Sequence, residues 1–187
     1  MPPQPDGPEK IAFQGKMIEV VEQPMRIGEK RVTFEFARRA PGTRIIIPLH
    51  DGNILLTKEY RPSLKSYDFR VPGGKVFDSL YEYNTFLKSG IDITEATMQG
   101  AIKEAKEEAG ISIEKMELFA ISKAGASVEW DLYYFVVTAY TEGAQAPEEH
   151  EDISLAPTPR EEVKAMCLDG RIQEDRSALM LLRYLQS

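Results

Sequence analysis

Residues 103 to 110 read KEAKEEAG, which sets three glutamates, Glu104, Glu107 and Glu108, within five positions of one predicted helix. On that helix Glu104 and Glu108 stand one turn apart, and Glu107 lies about 100° of arc from Glu108, on the side away from the apolar stripe. All three can converge on one point. Two carboxylates about 6 Å apart repel by roughly 0.7 kcal/mol in water and by a few kcal/mol at an effective dielectric near 20, so the cluster destabilises the helix unless something compensates. Two compensations are open: solvent together with the flanking Lys103 and Lys106, as on any charged helix face, or a hard divalent cation, which takes oxygen ligands. Cys167 is the single cysteine and His50 and His150 are the only histidines, which excludes an internal disulfide, a zinc ribbon or a His-rich centre. A metal held by this chain is held by oxygens.

Upstream lies Gly73-Gly74-Lys75, and from Glu95 the chain runs seven residues to Lys103-Glu104-Ala105-Lys106-Glu107-Glu108-Ala109-Gly110-Ile111. This resembles the Nudix box, G-x5-E-x7-R-E-U-x-E-E-x-G-U with U apolar, the loop-helix-loop signature of Nudix hydrolases. Two places depart from the pattern. Lys103 stands where the family has arginine, keeping the charge but losing the bidentate fork. About fifteen extra residues, within FDSLYEYNTFLKSGIDI, separate Gly74 from Glu95. The resemblance implies that the glutamates hold Mg²⁺ (or Mn²⁺) against a diphosphate while water attacks phosphorus. Carried over by position, Glu104 and Glu108 are the first ligand candidates, Glu107 the next, and Gly73 offers its carbonyl; Glu95 is an organiser paired with Lys103.

The flanks resemble the ADP-ribose pyrophosphatase and nucleoside-diphosphate-sugar branch of that family, over about residues 11 to 186. KEYRP is similar to the branch's QYR segment, which gives Arg61 the role of contacting substrate phosphate; a surface salt bridge is the plainer reading. SKAGASVE resembles the S-P-G-x-S-x-E loop, with Ala124 at the proline position, and makes Glu129 a second candidate for the general base. EEHEDISLAP resembles the acidic segment that precedes a strand in ADP-ribose pyrophosphatases, and it gives the base to Glu149 and a further metal contact to Glu151. An acidic loop of this kind reads equally as a solvated surface loop, with His150 exposed beside it and His50 structural next to a turn. In this branch the N-terminal strands commonly exchange between subunits, so Phe36 and Arg39, with Phe34 and Arg38, are expected either to contact substrate by stacking and cation-π geometry or to fill a homodimer interface.

The elements that would position these groups follow from patterning. IAFQGKMIEVVEQ and KRVTFEFARRA are rich in β-formers around the turn-like MRIGE, which predicts an N-terminal antiparallel arm. TRIIIPLHDGNILLTKEYR holds two apolar runs joined by Asp51-Gly52, a tight hairpin signal. ELFAIS, WDLYYFVVTAY and EDISLAP read as further strands. Asp92-Ile93-Thr94-Glu95 has the form of a capping box before a stripe of Met98, Ile102, Ala105 and Ala109 that ends at Gly110; Thr158-Pro159-Arg160-Glu161 starts a second helix ending by Gly170, and a third spans about Glu174 to Leu185. Strands before and between helices without βαβ alternation predict an α+β protein of Nudix fold, a mixed β-sheet sandwiched between helices. The expected division is a flexible leader over 1–10, the β arm over 11–42 and a Nudix hydrolase domain over 43–187 with the insertion around 77–93.

Composition sets the outer limits. A chain of 187 residues with 42% hydrophobic and 28% charged residues can bury a substantial core, and a net charge of −7 argues against capture of nucleic acid or an anionic membrane surface. The start, MPPQPDGPEK, is polar and proline-rich, and no stretch approaches about 18 consecutive apolar residues, so a cytoplasmic protein is expected. The function expected from all of this is metal-dependent hydrolysis of a nucleoside diphosphate sugar, ADP-ribose or an NDP-hexose such as GDP-mannose, by a homodimer. The alternatives are Nudix chemistry on a dinucleotide polyphosphate or nucleoside triphosphate, or a silent module that binds a nucleotide-sugar.

Overall fold

The computed structural model describes residues 2–146 and 152–187. In chain order the elements are β1 (Gln4–Pro5), β2 (Lys10–Gln14), β3 (Ile18–Ile27), β4 (Lys30–Arg39), β5 (Gly42–Ile46), β6 (Asn53–Arg61), β7 (Ser66–Arg70), α1 (Leu80–Leu87), α2 (Ile93–Ala109), β8 (Ile111–Ser122), β9 (Val128–Glu129), β10 (Leu132–Glu142), β11 (Ile153–Pro159), α3 (Arg160–Asp169) and α4 (Asp175–Gln186). The expected α+β class is what the chain adopts. No described helix is long and apolar enough to cross a membrane.

At the centre β10 runs parallel to β5 and antiparallel to β8, while β6 pairs antiparallel with β7 and β11. Every residue of β5 is buried, as a strand covered on both faces requires. The two-residue period of a strand then divides its apolar run between two cores. Ile45 and Ile47, with Leu55, Tyr133, Phe135 and Val137, pack under α2; Ile46, with Ile54, Leu56, Leu132 and Tyr134, packs under α3 and α4. At roughly 1.5–3 kcal/mol for each fully buried large side chain, these two layers are the main source of stability. The Asp51-Gly52 turn forms as its sequence suggests: Gly52 has φ +87° and Asp51 Oδ1 accepts from Asn53 N at 3.0 Å.

Helix α2 differs in detail from its sequence pattern. Asp92 caps it by accepting from Thr94 N at 2.8 Å, but the buried stripe is Thr97, Ala101, Ala105 and Ala109, rotated from the larger Met98 and Ile102. Small residues on this line let the helix lie close against β5 and β10. Glu108 is buried beside that stripe rather than turned away from it. At the other end Gly110 adopts φ +66°, and residues 143–146 dock there, with Gly143 N donating to Gly110 O at 2.7 Å and Ala146 N to Glu107 O at 2.9 Å.

The arm is a sheet in which β3 pairs with β4 through Ile27 and Lys30, turning at Gly28 and Glu29, the end of the segment expected to turn, while Met25 to Ile27 still belong to β3. Gln4 and Pro5 pair with Arg26 and Met25, and Asp6 bridges Arg26 and Arg31. The inserted segment contains a helix its aromatics did not suggest. Ser79 caps α1 by accepting from Glu82 N at 3.1 Å, and Glu82 returns the bond by accepting from Asp78 N at 2.8 Å. Pro159 closes β11 and precedes α3, whose first helical residue is Arg160, one position later than the proline signal suggests.

Gly110→Ala tests the docking of residues 143–146. A Cβ there would stand 2.6 Å from Gly143 O on a backbone already in the left-handed region. The variant is expected to lose at least about 1 kcal/mol in chemical denaturation, and unchanged stability would contradict this packing.

Candidate active site

A cavity of about 350 Å³ opens between the end of α2, the loop after β7 and the start of β5. One wall is acidic. Glu108 lies 7% exposed with Oε2 accepting from Gly73 N at 2.8 Å. Gly73 has φ +141°, and a Cβ there would come within 2.9 Å of Arg44 Cα, so only glycine lets the loop pass this close to β5. At Gly74 a Cβ would stand 2.7 Å from Glu104 Cδ, so a side chain there would displace that carboxylate. The carbonyls of Pro72 and Gly74 accept from Ile45 N and Thr43 N at 2.9 and 3.0 Å, which ties the loop to β5 on both sides of Gly73. Glu107 faces the same cavity and pairs with Lys103 at 3.6 Å, one helical turn away. The expected partner for Lys103 was Glu95, but Glu107 is the i,i+4 neighbour and takes it.

The facing wall is cationic. Arg39, Arg44, Arg61 and Arg70 line it. Arg44 donates to Thr43 O at 2.9 Å and approaches Glu174 at 3.5 Å, while Arg70 is ion-paired with the fully buried Asp68, which also accepts from Gln173 N at 3.0 Å. Arg61 pairs with Glu59. Burial lowers the guanidinium pKa of Arg61, and the nearby charge of Arg70 adds to that effect; burial does the same for Arg39, followed by Arg44 and Arg176. The Nε atoms of Arg61 and Arg70 are buried with no hydrogen-bond partner among the described residues. Clustered, desolvated cations with unused donors are what an anion stabilises. Burial alone would raise the Glu174 carboxyl, but Arg44, the Ser177 hydroxyl at 2.6 Å, Arg70 and Arg176 outweigh it and hold the group below its ordinary value.

The cavity thus gathers Glu104, Glu107, Glu108, Gly73, Arg61 and Arg39 from four separate stretches of sequence. Phe36 does not line it; its ring lies under Arg38, 5.2 Å from the guanidinium carbon. Glu129 lines a neighbouring cleft and is held by Arg38 Nε at 2.8 Å. Glu149, Glu151 and His150 lie outside the described residues. The chain on either side of them is anchored, by Ala146 N on Glu107 O and by Asp152 Oδ2 accepting from Tyr67 OH at 2.8 Å. Sequence reading passed over Arg44, Arg70, Glu59, Glu174 and Trp130. The local signal for two of them is slight: Arg44 is a lone charge directly before the apolar run III, and Arg70 ends the strand YDFR, and neither marks a site without its distant partner. Trp130 is enclosed by two guanidinium groups, Arg39 at 4.4 Å and Arg176 at 4.3 Å from its ring centre.

The donor set of the acidic wall is all oxygen, and no described cysteine or histidine lines the cavity. This suits a hard divalent cation. Among the described residues no three acidic, histidine or cysteine side chains already stand in ligating geometry, because Glu108 is engaged with Gly73 and Glu107 leans on Lys103. A cation would therefore draw these carboxylates from their present partners.

A helix ending in paired glutamates, docked on a glycine turn at the edge of a mixed sheet between helices, defines a class. The NUDIX domain family matches residues 39–177, and the chain belongs to that family, as a Nudix pyrophosphohydrolase. Among solved structures the chain is similar to the crystal structure of an ADP compounds hydrolase, with a TM-score of 0.74 and 18% identity over 98% of this chain and 94% of that one. No curated protein matches the sequence significantly.

The Glu174 network carries a pH signature. Its folded-state pKa is depressed, so its stabilising contribution is complete above the unfolded carboxylate range near about 4.3 and is lost as pH falls through the lower folded value. The stability advantage of the wild type over Glu174→Gln should accordingly be constant near neutral pH and shrink in acid. A difference that does not change with pH would show that Glu174 is not held ionised by these arginines.

Proposed function

We propose that the protein hydrolyses the diphosphate bond of a nucleoside diphosphate sugar, ADP-ribose or an NDP-hexose such as GDP-mannose, giving a nucleoside monophosphate and a sugar phosphate. The observation that carries this reading is the cavity with an all-oxygen acidic wall facing buried arginines whose Nε atoms have no partner. The family assignment supports hydrolysis of a phosphoanhydride, and the name of the similar structure, an ADP compounds hydrolase, supports a nucleotide with a diphosphate linkage.

Glu104, Glu107 and Glu108, with the Gly73 carbonyl and Glu151, are the residues that would hold Mg²⁺ or Mn²⁺. Bound there, the cation would neutralise diphosphate charge and lower the pKa of water. Arg61 and Arg70 receive the diphosphate oxygens with their unused Nε donors, and Arg39 closes the same side of the cavity. These arginines are partly buried, so their hydrogen bonds to developing charge are worth more than in bulk solvent. Glu149 takes the proton from the attacking water as the new phosphorus–oxygen bond forms and the anhydride bond breaks, the leaving phosphate carrying away the electron pair. Glu129 is less suited to that role, since Arg38 holds its carboxylate in the adjoining cleft.

The arm suits a homodimer: Ile11, Phe13, Ile18 and Phe34 are exposed apolar residues on β2, β3 and β4, with Phe13 60% exposed. Hydrolysis of a soluble nucleotide also fits a cytoplasmic location.

A panel of ADP-ribose, GDP-mannose, a dinucleotide polyphosphate and a nucleoside triphosphate, assayed with Mg²⁺ and coupled to phosphatase detection, should show turnover of the diphosphate sugars that chelator stops. Glu108→Gln keeps an acceptor for Gly73 N but loses charge, and is expected to reduce that turnover at least about a hundredfold while circular dichroism stays native. Retained rate would sink the ligand assignment. Light scattering at micromolar concentration is expected to give twice the 21.1 kDa chain mass, and a monomer mass would remove the dimer from the reading.

A further inference from the structure

A second cleft, of about 610 Å³, lies beside the first, and Arg39 and Pro41 line both. One of its walls is the inserted helix α1, through Tyr83, Asn84 and Leu87; the opposite wall includes Glu129, Asp131 and Tyr133. The helix is fixed in place. Leu80 is fully buried and donates its N–H to Lys16 O at 2.9 Å, and buried Phe77 packs against the rings of Tyr83 and Phe86 at 5.3 and 5.1 Å. A segment pinned by the arm on one side and by an aromatic cluster on the other presents Tyr83 as a standing wall of the cleft.

The chemistry of this cleft is unlike that of the first cavity. Asp131 Oδ2 accepts from Lys123 Nζ at 2.8 Å and Glu129 Oε2 from Arg38 Nε at 2.8 Å, which orients both carboxylates. Among the described residues the second oxygen of each accepts no hydrogen bond, so each has lone pairs to offer. Two carboxylates repel phosphate but accept well from vicinal hydroxyl groups, as an acidic residue does for ribose in dinucleotide sites. Tyrosine rings and the aliphatic surfaces of Leu87 and Ile93 supply the apolar contact that a sugar's C–H face requires. The phosphates are drawn to the arginine side and the hydroxyls to this one, with Arg39 at the junction.

We infer that the cleft walled by α1 is the subsite for a sugar attached to the diphosphate, and that the inserted helix sets how large that group can be. The inference rests on the proposed action on a nucleoside diphosphate sugar and names the part of the fold that would select the sugar.

Calorimetry on the full chain tests it, in chelator so that no probe is turned over, with ADP-ribose and GDP-mannose as sugar-bearing probes and P1,P2-dimethyl diphosphate as the probe that has the diphosphate and no sugar; cleavage is read separately with Mg²⁺. Leu87→Trp and Asn84→Trp each fill the cleft from an exposed helix face, and circular dichroism checks that they fold. Both are expected to weaken the sugar-bearing probe that the wild type prefers by about tenfold or more, and dimethyl diphosphate by no more than about twofold. Equal weakening of all probes, or none, would overturn the subsite, as would a wild type that binds neither sugar-bearing probe. A wild type that binds ADP-ribose without cleaving it would remove the hydrolytic reading while the same affinities still decide the subsite.

Discussion

The hydrogen bond from Gly73 N to Glu108 ties the site together. It brings a helix carboxylate, almost wholly buried, onto a loop at the far edge of the sheet, 35 positions earlier in the chain. Burying a carboxylate is unfavourable unless the group is hydrogen-bonded or paired, so the geometry around it is demanding. Gly73 adopts a backbone conformation that β-carbon-bearing residues rarely reach, Gly74 leaves room for Glu104, and the alanine stripe of α2 lets the helix settle close enough for the contact to form. Each of these small residues is explained by what comes close to it, backbone at Gly73 and at the alanines, and the Glu104 carboxylate at Gly74, rather than by its own propensity. The result is an acidic edge anchored on the Gly73 loop and built of the donor type a hard cation takes.

Opposite this edge the arginines solve a different electrostatic problem. Arg44 and Arg70 are almost completely enclosed, and each has its own carboxylate, Glu174 and Asp68, anchored in turn by Ser177 and by Gln173 N. Partnering of this kind offsets the cost of burying a guanidinium without consuming all its donors. Arg39 and Arg61 are less fully compensated, and burial works against their charge. The cavity is therefore divided, with carboxylates on one side and guanidinium groups on the other, and an anion with a bridging cation satisfies both sides at once. A chain of net charge −7 thus concentrates its positive charge where a phosphate would sit, which total charge cannot reveal.

Local rules read the frame of this protein well. The Asp51-Gly52 turn, the Asp92 cap, the Gly110 and Gly170 helix ends and the two-residue alternation of the sheet follow from near-neighbour chemistry, and the structure has them. The glutamate helix and the Gly73-Gly74 turn were legible together because a short linear motif brings them to notice. Arg44 and Arg70 were not, since their importance comes from Glu174 and Asp68, distant in sequence or hidden in a strand. Helix α1 begins with the form of a capping box, Ser79-Leu80-Tyr81-Glu82, but at 8 residues it is too short for apolar periodicity to mark it in the sequence. The rotation of the buried stripe on α2 shows the other limit, because which side of a helix lies against the sheet is settled by how closely its backbone must approach.

Helix α1 also ties the N-terminal arm to the body of the chain. Leu80 N donates to Lys16 O in the turn between β2 and β3, and Arg38 of β4 reaches Glu129 of β9, so the arm is attached on one side to α1 and on the other to the loop before β10. Arg38 also pairs with Glu9 and Glu19, which lie in and beside the arm strands; burial would lower its pKa, but Glu129 and Glu9 outweigh that and raise it. One guanidinium therefore joins the leader, the arm and the wall of the second cleft. Displacement of the arm would alter Arg38 and Arg39 together, the first orienting an acceptor in the cleft and the second standing between the two cavities. A sugar recognised in the cleft and a diphosphate recognised in the cavity would then be coupled through two consecutive residues of β4, and the arm's position would bear on both.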